Sequence, residues 1–222
     1  MNASKVGRWM LVLPVTALFI ALSWGVSLAD GKGIFASKNC GSCHQIEGPA
    51  TEKTFEDQLK KKGPELWYSG SKFKKEWLVE WLEKPATIRL LKYNSVTEKH
   101  NEKHTALSKK EADEVAEYLM TLTAKEVAKG TAEEKVTPQG KNLFIKRYSC
   151  VGCHSIKAGA QKVGGVSGPD LSEAGKRLTA DWVYAYLKEP KVFKPVKRMP
   201  VFVDIINDNE MKTLAGFVAA QK

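Results

Sequence analysis

The sequence predicts an all-α protein, and three observations support this fold class. Ser108 and Glu111 have the spacing of a capping box at the start of a helix that runs to about Leu122, and Asn207 and Glu210 repeat this spacing near the C-terminus. Aromatic residues recur four positions apart, which is typical of one face of a helix. Few stretches alternate apolar and polar residues with the period of two that a strand requires. We therefore predict helices throughout the chain.

The chain contains an internal repeat. Four segments recur in the same order: residues 40–44 match 150–154, 63–66 match 168–171, 77–85 match 182–190, and 115–118 match 214–217. The offsets are 110, 105, 105 and 99 residues, so short loop insertions account for the differences. In the third pair of segments, Trp77 and Trp81 share one helix face, as do Trp182 and Tyr186. A tandem duplication explains this order.

The boundary between the two copies lies between Thr123 and Pro138. The apolar periodicity is lost after Thr123, and the run at residues 137–140 breaks any helix. We therefore predict an N-terminal segment of residues 1–29, a first domain of residues 30–127 and a second domain of residues 128–222. Each domain is long enough to bury a modest core.

Composition excludes several classes of protein. The chain has 222 residues, of which 43% are hydrophobic and 27% are charged, with ordinary numbers of glycine and proline. These values argue against a disordered chain, a collagen and a polytopic membrane protein. The formal net charge of +10 favours an acidic partner, which composition leaves open as nucleic acid, anionic lipid or an acidic protein face.

Residues 1–29 have the pattern of an export signal. Lys5 and Arg8 form a short basic region, 21 uncharged residues follow from Trp9, and small residues precede Asp30 at a typical cleavage position. The same stretch is long enough to be an uncleaved membrane anchor, so that alternative stays open. In both cases the rest of the chain lies outside the cytoplasm. We therefore predict a periplasmic protein, either free or anchored to the cytoplasmic membrane, and no nucleic-acid partner.

Each half carries one Cys-x-x-Cys-His run, and these runs contain every cysteine of the chain: Cys40, Cys43 and His44, then Cys150, Cys153 and His154. The run is typical of c-type haem attachment, because two thiols can form thioethers along one porphyrin edge while the histidine projects toward the iron. A four-cysteine zinc site needs its pairs about 15–20 residues apart. Disulfides give no role to the histidines, and a thioredoxin-like redox pair needs a βαβ context.

The two halves resemble class I cytochromes c, arranged in tandem as a dihaem cytochrome. The resemblance covers residues 31–222 and rests on a helix leading into Cys-x-x-Cys-His, a Gly-Pro-Asp/Glu-Leu loop, an aromatic helix ending in proline, a distal ligand and a C-terminal helix. It implies two covalently bound c-type haems. It also implies that the proline carbonyls of the Gly-Pro loops hold the rings of the proximal histidines. The layout is similar to dihaem subunits of cytochrome bc-type complexes or terminal oxidases, and to periplasmic shuttles.

A low-spin electron carrier needs a second axial ligand on each iron, usually methionine or histidine. Met199 precedes the last helix, where the resembling family places its axial methionine, so we predict Met199 for the second haem. The corresponding loop of the first half contains no methionine. The offset of 99 places His100 opposite Met199, so we predict His100, with His104 as the alternative. The competing interpretation is that both histidines are exposed loop residues.

The ligand difference predicts unequal haems. A thioether ligand raises the reduction potential relative to a second imidazole. We therefore predict a lower potential for the first haem, which accepts electrons, and a higher potential for the second, which passes them on. The predicted function is an electron-transfer cytochrome, not an enzyme, that relays single electrons between respiratory redox partners outside the cytoplasmic membrane. Two alternatives stay open: a peroxidase-like enzyme with one open haem site, and a fixed subunit of a larger membrane redox complex.

The charge is concentrated in the second half. Residues 30–129 carry 18 basic and 16 acidic residues, whereas residues 130–222 carry 15 and 9. Basic residues surround the predicted Met199 ligand: Lys188, Lys191, Lys194, Lys197 and Arg198. A lysine-rich rim near a haem edge would steer the protein toward an acidic docking face of a redox partner. The alternative is an ordinary solvated surface.

Overall fold

The computed structural model describes residues 28–222 except Val96, Glu102, Lys197 and Arg198. The predicted export segment lies outside the described residues, except that Leu28 begins the first helix. Within the described part of the chain, no helix is long and apolar enough to cross a membrane.

The described residues of the first half form five helices and one single helical turn. These are α1 (Leu28–Ser37), the turn at Cys40–Ser42, α2 (Phe55–Lys60), α3 (Ser69–Lys72), α4 (Lys75–Glu83) and α5 (Lys109–Met120). The predicted capping box is present at the start of α5. The Ser108 hydroxyl accepts from the N–H of Glu111, and the Glu111 carboxylate accepts from the N–H of Ser108.

The second half follows the same order. Its helical elements are α6 (Pro138–Asn142), a π-helical turn at Leu143–Arg147, a single turn at Cys150–Gly152, α7 (Ala174–Arg177), α8 (Ala180–Lys188), α9 (Pro190–Phe193) and α10 (Asp208–Ala219). Asn207 caps α10 as predicted, since its side chain accepts from the N–H of Glu210 at 3.0 Å. The reciprocal bond differs from a capping box, because the Glu210 carboxylate accepts from the Asn207 side-chain amide at 2.9 Å.

The first and last helices of each half cross at a glycine. A Cβ at Gly31 in α1 would lie 2.0 Å from the carbonyl oxygen of Glu114 in α5. A Cβ at Gly140 in α6 would lie 2.7 Å from the Cβ of Phe217 in α10. Both distances are too short for any side chain, so glycine allows the backbones to approach. These crossings close each half around its Cys-x-x-Cys-His turn.

A small hairpin departs from the all-α prediction. Strands β1 (Ile156–Ala158) and β2 (Gln161–Val163) pair antiparallel, with Ile156 opposite Val163. Gly159, in the two-residue connection, has a φ of +64°, a left-handed conformation that glycine adopts without steric cost. Three-residue strands are too short to show the alternation by which a strand is recognised in sequence. The structure is 44% helix and 5% strand, so it is mostly helical as predicted.

The two halves pack through a reciprocal pair of backbone hydrogen bonds. The N–H of Lys74 donates to the carbonyl of Arg177 at 3.0 Å, and the N–H of Thr179 donates to the carbonyl of Lys72 at 3.0 Å. The repeat offset of 105 relates Lys72 to Arg177 and Lys74 to Thr179, so exchanging the halves exchanges the two bonds. The contact therefore has the self-complementary form of a two-fold dimer interface within one chain.

A single hydrophobic core extends through both halves. Phe73 lies opposite Leu178 at the reciprocal contact, and both side chains are buried. Tyr68 of the first half is fully buried and stacks on Trp182 of the second, with ring centroids 6.0 Å apart. Burying this much apolar surface between the halves favours one fixed arrangement over two freely moving domains.

The segment that joins the two halves, residues 124–137, is hydrogen-bonded to the first half near its start and to the second half further along. The N–H of Ala124 donates to the Ser71 hydroxyl of the first half at 2.9 Å. The N–H groups of residues 130–132 donate to the carboxylate of Asp181 in α8 at 2.8–2.9 Å. The predicted boundary at residues 127–128 lies between these two attachments.

Candidate haem sites

The two Cys-x-x-Cys-His runs have the same backbone geometry. A non-glycine residue with left-handed backbone precedes each first cysteine: Asn39 has a φ of 55° and Ser149 a φ of 49°. A single helical turn follows, and the histidine N–H donates to the carbonyl of the first cysteine, at 3.1 Å in the first half and 3.0 Å in the second. Each run thus forms a compact loop with the first thiol and the histidine on one turn.

None of the four cysteines forms a disulfide, and the second of each pair is exposed. Burial raises the pKa of Cys40, and it raises the pKa of Cys150 to about 11. Redox-active cysteine pairs have lowered thiol pKa values, so these shifts are opposite to those of a thioredoxin-like pair. Among the described residues, no group of three or more His, Cys, Asp or Glu side chains is placed to hold a metal ion.

A proline carbonyl holds each proximal histidine, as the resemblance implied. Nδ1–H of His44 donates to the Pro64 carbonyl at 2.8 Å, and Nδ1–H of His154 donates to the Pro169 carbonyl at 2.8 Å. Because a carbonyl can only accept, Nδ1 carries the proton and Nε2 keeps its lone pair. Each ring is therefore oriented and in the tautomer that binds a metal through Nε2.

The glycine before each of these prolines makes room for the ring. A Cβ at Gly63 would lie 2.6 Å from Cε1 of His44, and a Cβ at Gly168 would lie 2.5 Å from Cε1 of His154. Only glycine is compatible with these distances. Burial lowers the pKa of both imidazoles, which favours the neutral form that a metal requires.

His104 lies against His44. Their ring centroids are 6.0 Å apart, and the ring planes are inclined by 51°. Two imidazoles bound to opposite sides of one metal ion, with bonds of about 2 Å each, have ring centres about 6 Å apart. Nδ1 of His104 is bonded to the carbonyl of Thr105 at 2.9 Å, so its Nε2 also keeps the lone pair. The spacing and tautomers of the two rings fit a shared iron.

His100 occupies a different position in the loop. Its N–H donates to the carbonyl of Leu90 at 2.7 Å, beside the isolated bridge between Leu91 and Lys99. The described ring contact with His44 belongs to His104. Of the two candidate histidines, His104 is therefore the one whose ring is seen beside His44. A fixed offset assumes equal loop paths, and this loop is shaped by its own local bridge.

Met199 lies beside Tyr186 in the second half. It is half-buried and also lies beside Pro190 and Phe202. Tyr186 corresponds to Trp81 by the offset of 105, and the Trp81 ring packs on His104 with centroids 4.7 Å apart. In each half, the candidate sixth ligand thus lies beside the second member of the aromatic pair spaced four residues apart, Trp81 or Tyr186. This correspondence supports Met199 as a candidate.

A cleft of about 380 Å³ opens beside Cys43 and His44. Its walls are residues 41–45, residues 60–63 and Glu65. The space lies next to the exposed thiol, where a covalently attached group would begin.

The predicted basic rim around Met199 is not a simple surface feature. Lys194 is only 19% exposed, because its ammonium group donates to the carboxylate of Glu65 in the other half at 2.7 Å. Lys188 is ion-paired within the second half, and Lys191 is exposed. The remaining two residues of the rim lie outside the described part of the chain: Lys197 and Arg198. The prediction was therefore wrong about Lys194, whose role is internal.

A buried ionic cluster that was not predicted from sequence surrounds Glu65, whose side chain is 1% exposed. Its carboxylate accepts from Lys61 at 2.7 Å, from Lys194 at 2.7 Å and from the Tyr93 hydroxyl at 3.1 Å. Burial alone would raise the pKa of Glu65, but Lys194 and Lys61 outweigh it and lower the pKa to about 2. The four-residue spacing of Lys61 and Glu65 was a signal in the sequence, whereas Lys194 is 129 residues away.

We expect this cluster to make folding sensitive to acid. The folded pKa of Glu65 is about 2, below the reference value of 4.5, so the carboxylate stabilises the fold above pH 4.5 and loses that effect as the pH falls toward 2. The expected loss is on the order of 1–3 kcal/mol. Unfolding free energies of wild type and Glu65→Gln, measured from pH 7 down to pH 3, should converge in acid.

The exposed glutamate variant Glu56→Gln serves as the control and should keep the wild-type pH dependence. If Glu65→Gln also kept the wild-type slope, the carboxylate would not be held ionised by its neighbours.

Comparison with known families gives one match for each half. The family described as cytochrome c matches residues 28–123, and the family described as cytochrome c oxidase, cbb3-type, subunit III matches residues 136–218. No curated protein and no solved structure matches the chain.

The two matches coincide with the two copies of the repeat. Cytochrome c domains imply electron transfer and covalently bound haem c, and the matches indicate an electron carrier or an oxidase subunit. The free thiol pairs, the Nε2 lone pairs and the glycines that admit the histidine rings all fit such a group. The chain therefore belongs to the c-type cytochromes and consists of two cytochrome c domains in tandem.

Proposed function

We propose that the protein is a dihaem cytochrome that relays single electrons between respiratory redox partners on the outer side of the cytoplasmic membrane. One observation carries the proposal: both halves present a free Cys-x-x-Cys pair with a histidine held by a proline carbonyl. A haem c bound there would supply a one-electron iron couple. The uncharged N-terminal segment supports the outer location, either free in the periplasm or anchored.

Three groups would hold the first haem through the Cys-x-x-Cys-His run: the thiols of Cys40 and Cys43 and the Nε2 atom of His44. We propose His104 as the sixth ligand, in place of His100, because the His104 ring lies against His44 at a spacing that fits one iron. Trp81 packs on the His104 ring and limits its rotation.

The second haem would be held by Cys150, Cys153 and His154, with Met199 as the sixth ligand. Support comes from the shared loop geometry and from the equivalent packing of Met199 beside Tyr186. The two proposed ligand sets are therefore His/His in the first half and His/Met in the second.

Charges around His154 act in the same direction as the ligands. Burial dominates the lowered pKa of both proximal histidines; His104 and Glu65 act in opposite directions on the pKa of His44, whereas Arg177 and Arg89 both lower the pKa of His154. Negative charge stabilises ferric iron and positive charge stabilises ferrous iron. We infer that electrons enter at the first haem and leave from the second.

Two other functions differ in their support. A peroxidase-like enzyme needs an open iron position, and the position of His104 argues against one in the first half. A fixed subunit of a membrane redox complex is the second candidate, because residues 136–218 match the cbb3-type subunit III family. Both a shuttle and a subunit would meet an acidic or membrane-bound redox partner.

The test is intact mass followed by a redox titration monitored by low-temperature EPR. We expect a mass increase of two haems, one His/His and one His/Met low-spin signal, and the lower potential at the first haem. A Cys150→Ser/Cys153→Ser variant should lose only the second haem. A mass below two haems would contradict the dihaem assignment, a high-spin wild-type signal would favour the enzyme, and a lower potential at the second haem would reverse the inferred direction.

A further inference from the structure

Two cations cross between the halves at equivalent positions of the repeat. Lys194 of the second half donates to the Glu65 carboxylate of the first at 2.7 Å. Arg89 of the first half donates through Nη2 to the carbonyl of Ser167 in the second at 2.9 Å. The offset of 105 relates Arg89 to Lys194, and it relates Glu65 to Asp170, three residues after Ser167. The two cations therefore occupy equivalent positions of the repeat, although Lys194 binds a carboxylate and Arg89 binds a backbone carbonyl.

Each cation reaches the loop that holds the proximal histidine of the opposite half. Glu65 directly follows the proline whose carbonyl accepts from His44. Ser167 lies two residues before the proline whose carbonyl accepts from His154. A side chain of one half thus contacts the segment that sets the ring position in the other.

The segment that carries Arg89 is attached by backbone as well as side chain. The N–H of Asp170 donates to the carbonyl of Ile88 at 2.9 Å. Residues 88–89 therefore contact residues 167–170 on both sides of Pro169.

The residue before Lys194, Phe193, anchors this segment to the first half. Phe193 is fully buried and packs on Tyr68 of the first half, with ring centroids 5.3 Å apart. The ammonium of Lys194 also donates to the Tyr93 hydroxyl of the first half. These contacts hold the Lys194 ammonium at a fixed distance from Glu65 and from the loop that binds His44.

We propose that Arg89 and Lys194 are positioning residues, each holding the proximal-histidine loop of the opposite half and raising the reduction potential of the haem bound there. This inference rests on the two haem sites of the proposed function. A nearby positive charge favours the ferrous state, which has one positive charge fewer than the ferric state. The hydrogen bond from the histidine ring sets its basicity as a ligand, so movement of the loop also changes the potential. The potential of each haem then depends on residues of both halves.

The first test replaces Arg89 and measures the potentials of both haems in the holoprotein, with EPR distinguishing them. Arg89→Gln should lower the potential of the second haem more than that of the first, although Arg89 belongs to the first half. Arg89→Lys keeps the positive charge and should leave the potential of the second haem close to its wild-type value. Lys53→Gln removes an exposed charge from the same half and should leave both potentials unchanged. A larger shift at the first haem, or no shift at either, would overturn the inference.

The second test separates Lys194 from Glu65. Lys194→Gln leaves the Glu65 carboxylate with one cation fewer and should lower the potential of the first haem. The double variant Lys194→Gln/Glu65→Gln removes the opposing charges together and should return the potential toward wild type. Lys191→Gln, an exposed change three residues away, is the matched control and should leave the potential of the first haem unchanged. A double variant with the full shift of Lys194→Gln would contradict a role through Glu65.

Different results would contradict the dihaem function and the role of Arg89 and Lys194. Fewer than two haems in the wild-type mass would contradict the proposed function. The other outcome is that two haems are bound but each potential responds only to residues of its own half. This result would leave the proposed function intact. It would overturn the inference that Arg89 and Lys194 act on the haem of the opposite half.

Discussion

Replacement of His104 by alanine is expected to convert the first haem from low spin to high spin. The variant removes the imidazole that lies 6.0 Å from His44, ring centre to ring centre, and leaves the proximal bond to Pro64 in place. Low-temperature EPR of the oxidised protein should show a high-spin signal from one haem, with the second haem unchanged. Since His104 lies in an exposed loop, we expect the fold to persist.

His100→Ala is the matched control, since it changes a histidine four residues away in the same loop. It should retain the wild-type low-spin spectrum. The opposite result, with a high-spin haem in His100→Ala and a low-spin haem in His104→Ala, would return the assignment to His100. A further variant, His104→Met, should stay low spin and raise the potential of the first haem, because axial ligands set haem potentials over a range of about 0.8 V.

Alanine at Gly63 or Gly168 is expected to destabilise the protein and to displace the proximal histidine. The new Cβ would lie 2.6 Å from Cε1 of His44 in the first case and 2.5 Å from Cε1 of His154 in the second. Neither ring can move freely, because each is bonded to a proline carbonyl. Overpacking of this kind costs about 1–3 kcal/mol. Urea unfolding measures the loss, and the haem spectrum of the affected half reports the ring displacement.

Gly33→Ala provides the control in a helix of the first half. A Cβ at Gly33 meets nothing within 4 Å, so alanine there should be neutral or stabilise the fold by about 0.4–1 kcal/mol. If Gly63→Ala and Gly33→Ala had the same stability, the close contact with His44 would not constrain the loop.

Local features were predictable because they depend on residues a few positions apart. The capping box of Ser108 and Glu111 spans three residues, and the Asn207 cap spans the same distance. The geometry of each Cys-x-x-Cys-His turn is also local. The hairpin at residues 156–163 escaped prediction because its strands have three residues each, shorter than any periodic signal.

The choice between His100 and His104 depended on the path of a loop. The repeat offset aligned His100 with Met199, but an offset records position along the chain and not direction in space. A backbone bond from His100 to Leu90 holds the first part of the loop, and His104 is the histidine that reaches Trp81 and His44. Sequence spacing narrowed the candidates to two, and packing favoured one.

The sequence by itself determined the tandem repeat, the mostly helical elements and the two Cys-x-x-Cys-His runs, since these are written in short-range spacing. Only the tertiary structure decided that Lys194 lies inside the molecule, and that Arg89 and Lys194 each contact the histidine loop of the other half. The Lys194–Glu65 bond joins residues 129 positions apart. Such a bond forms because the two halves bury a common core, and no local pattern records which distant charges that core brings together.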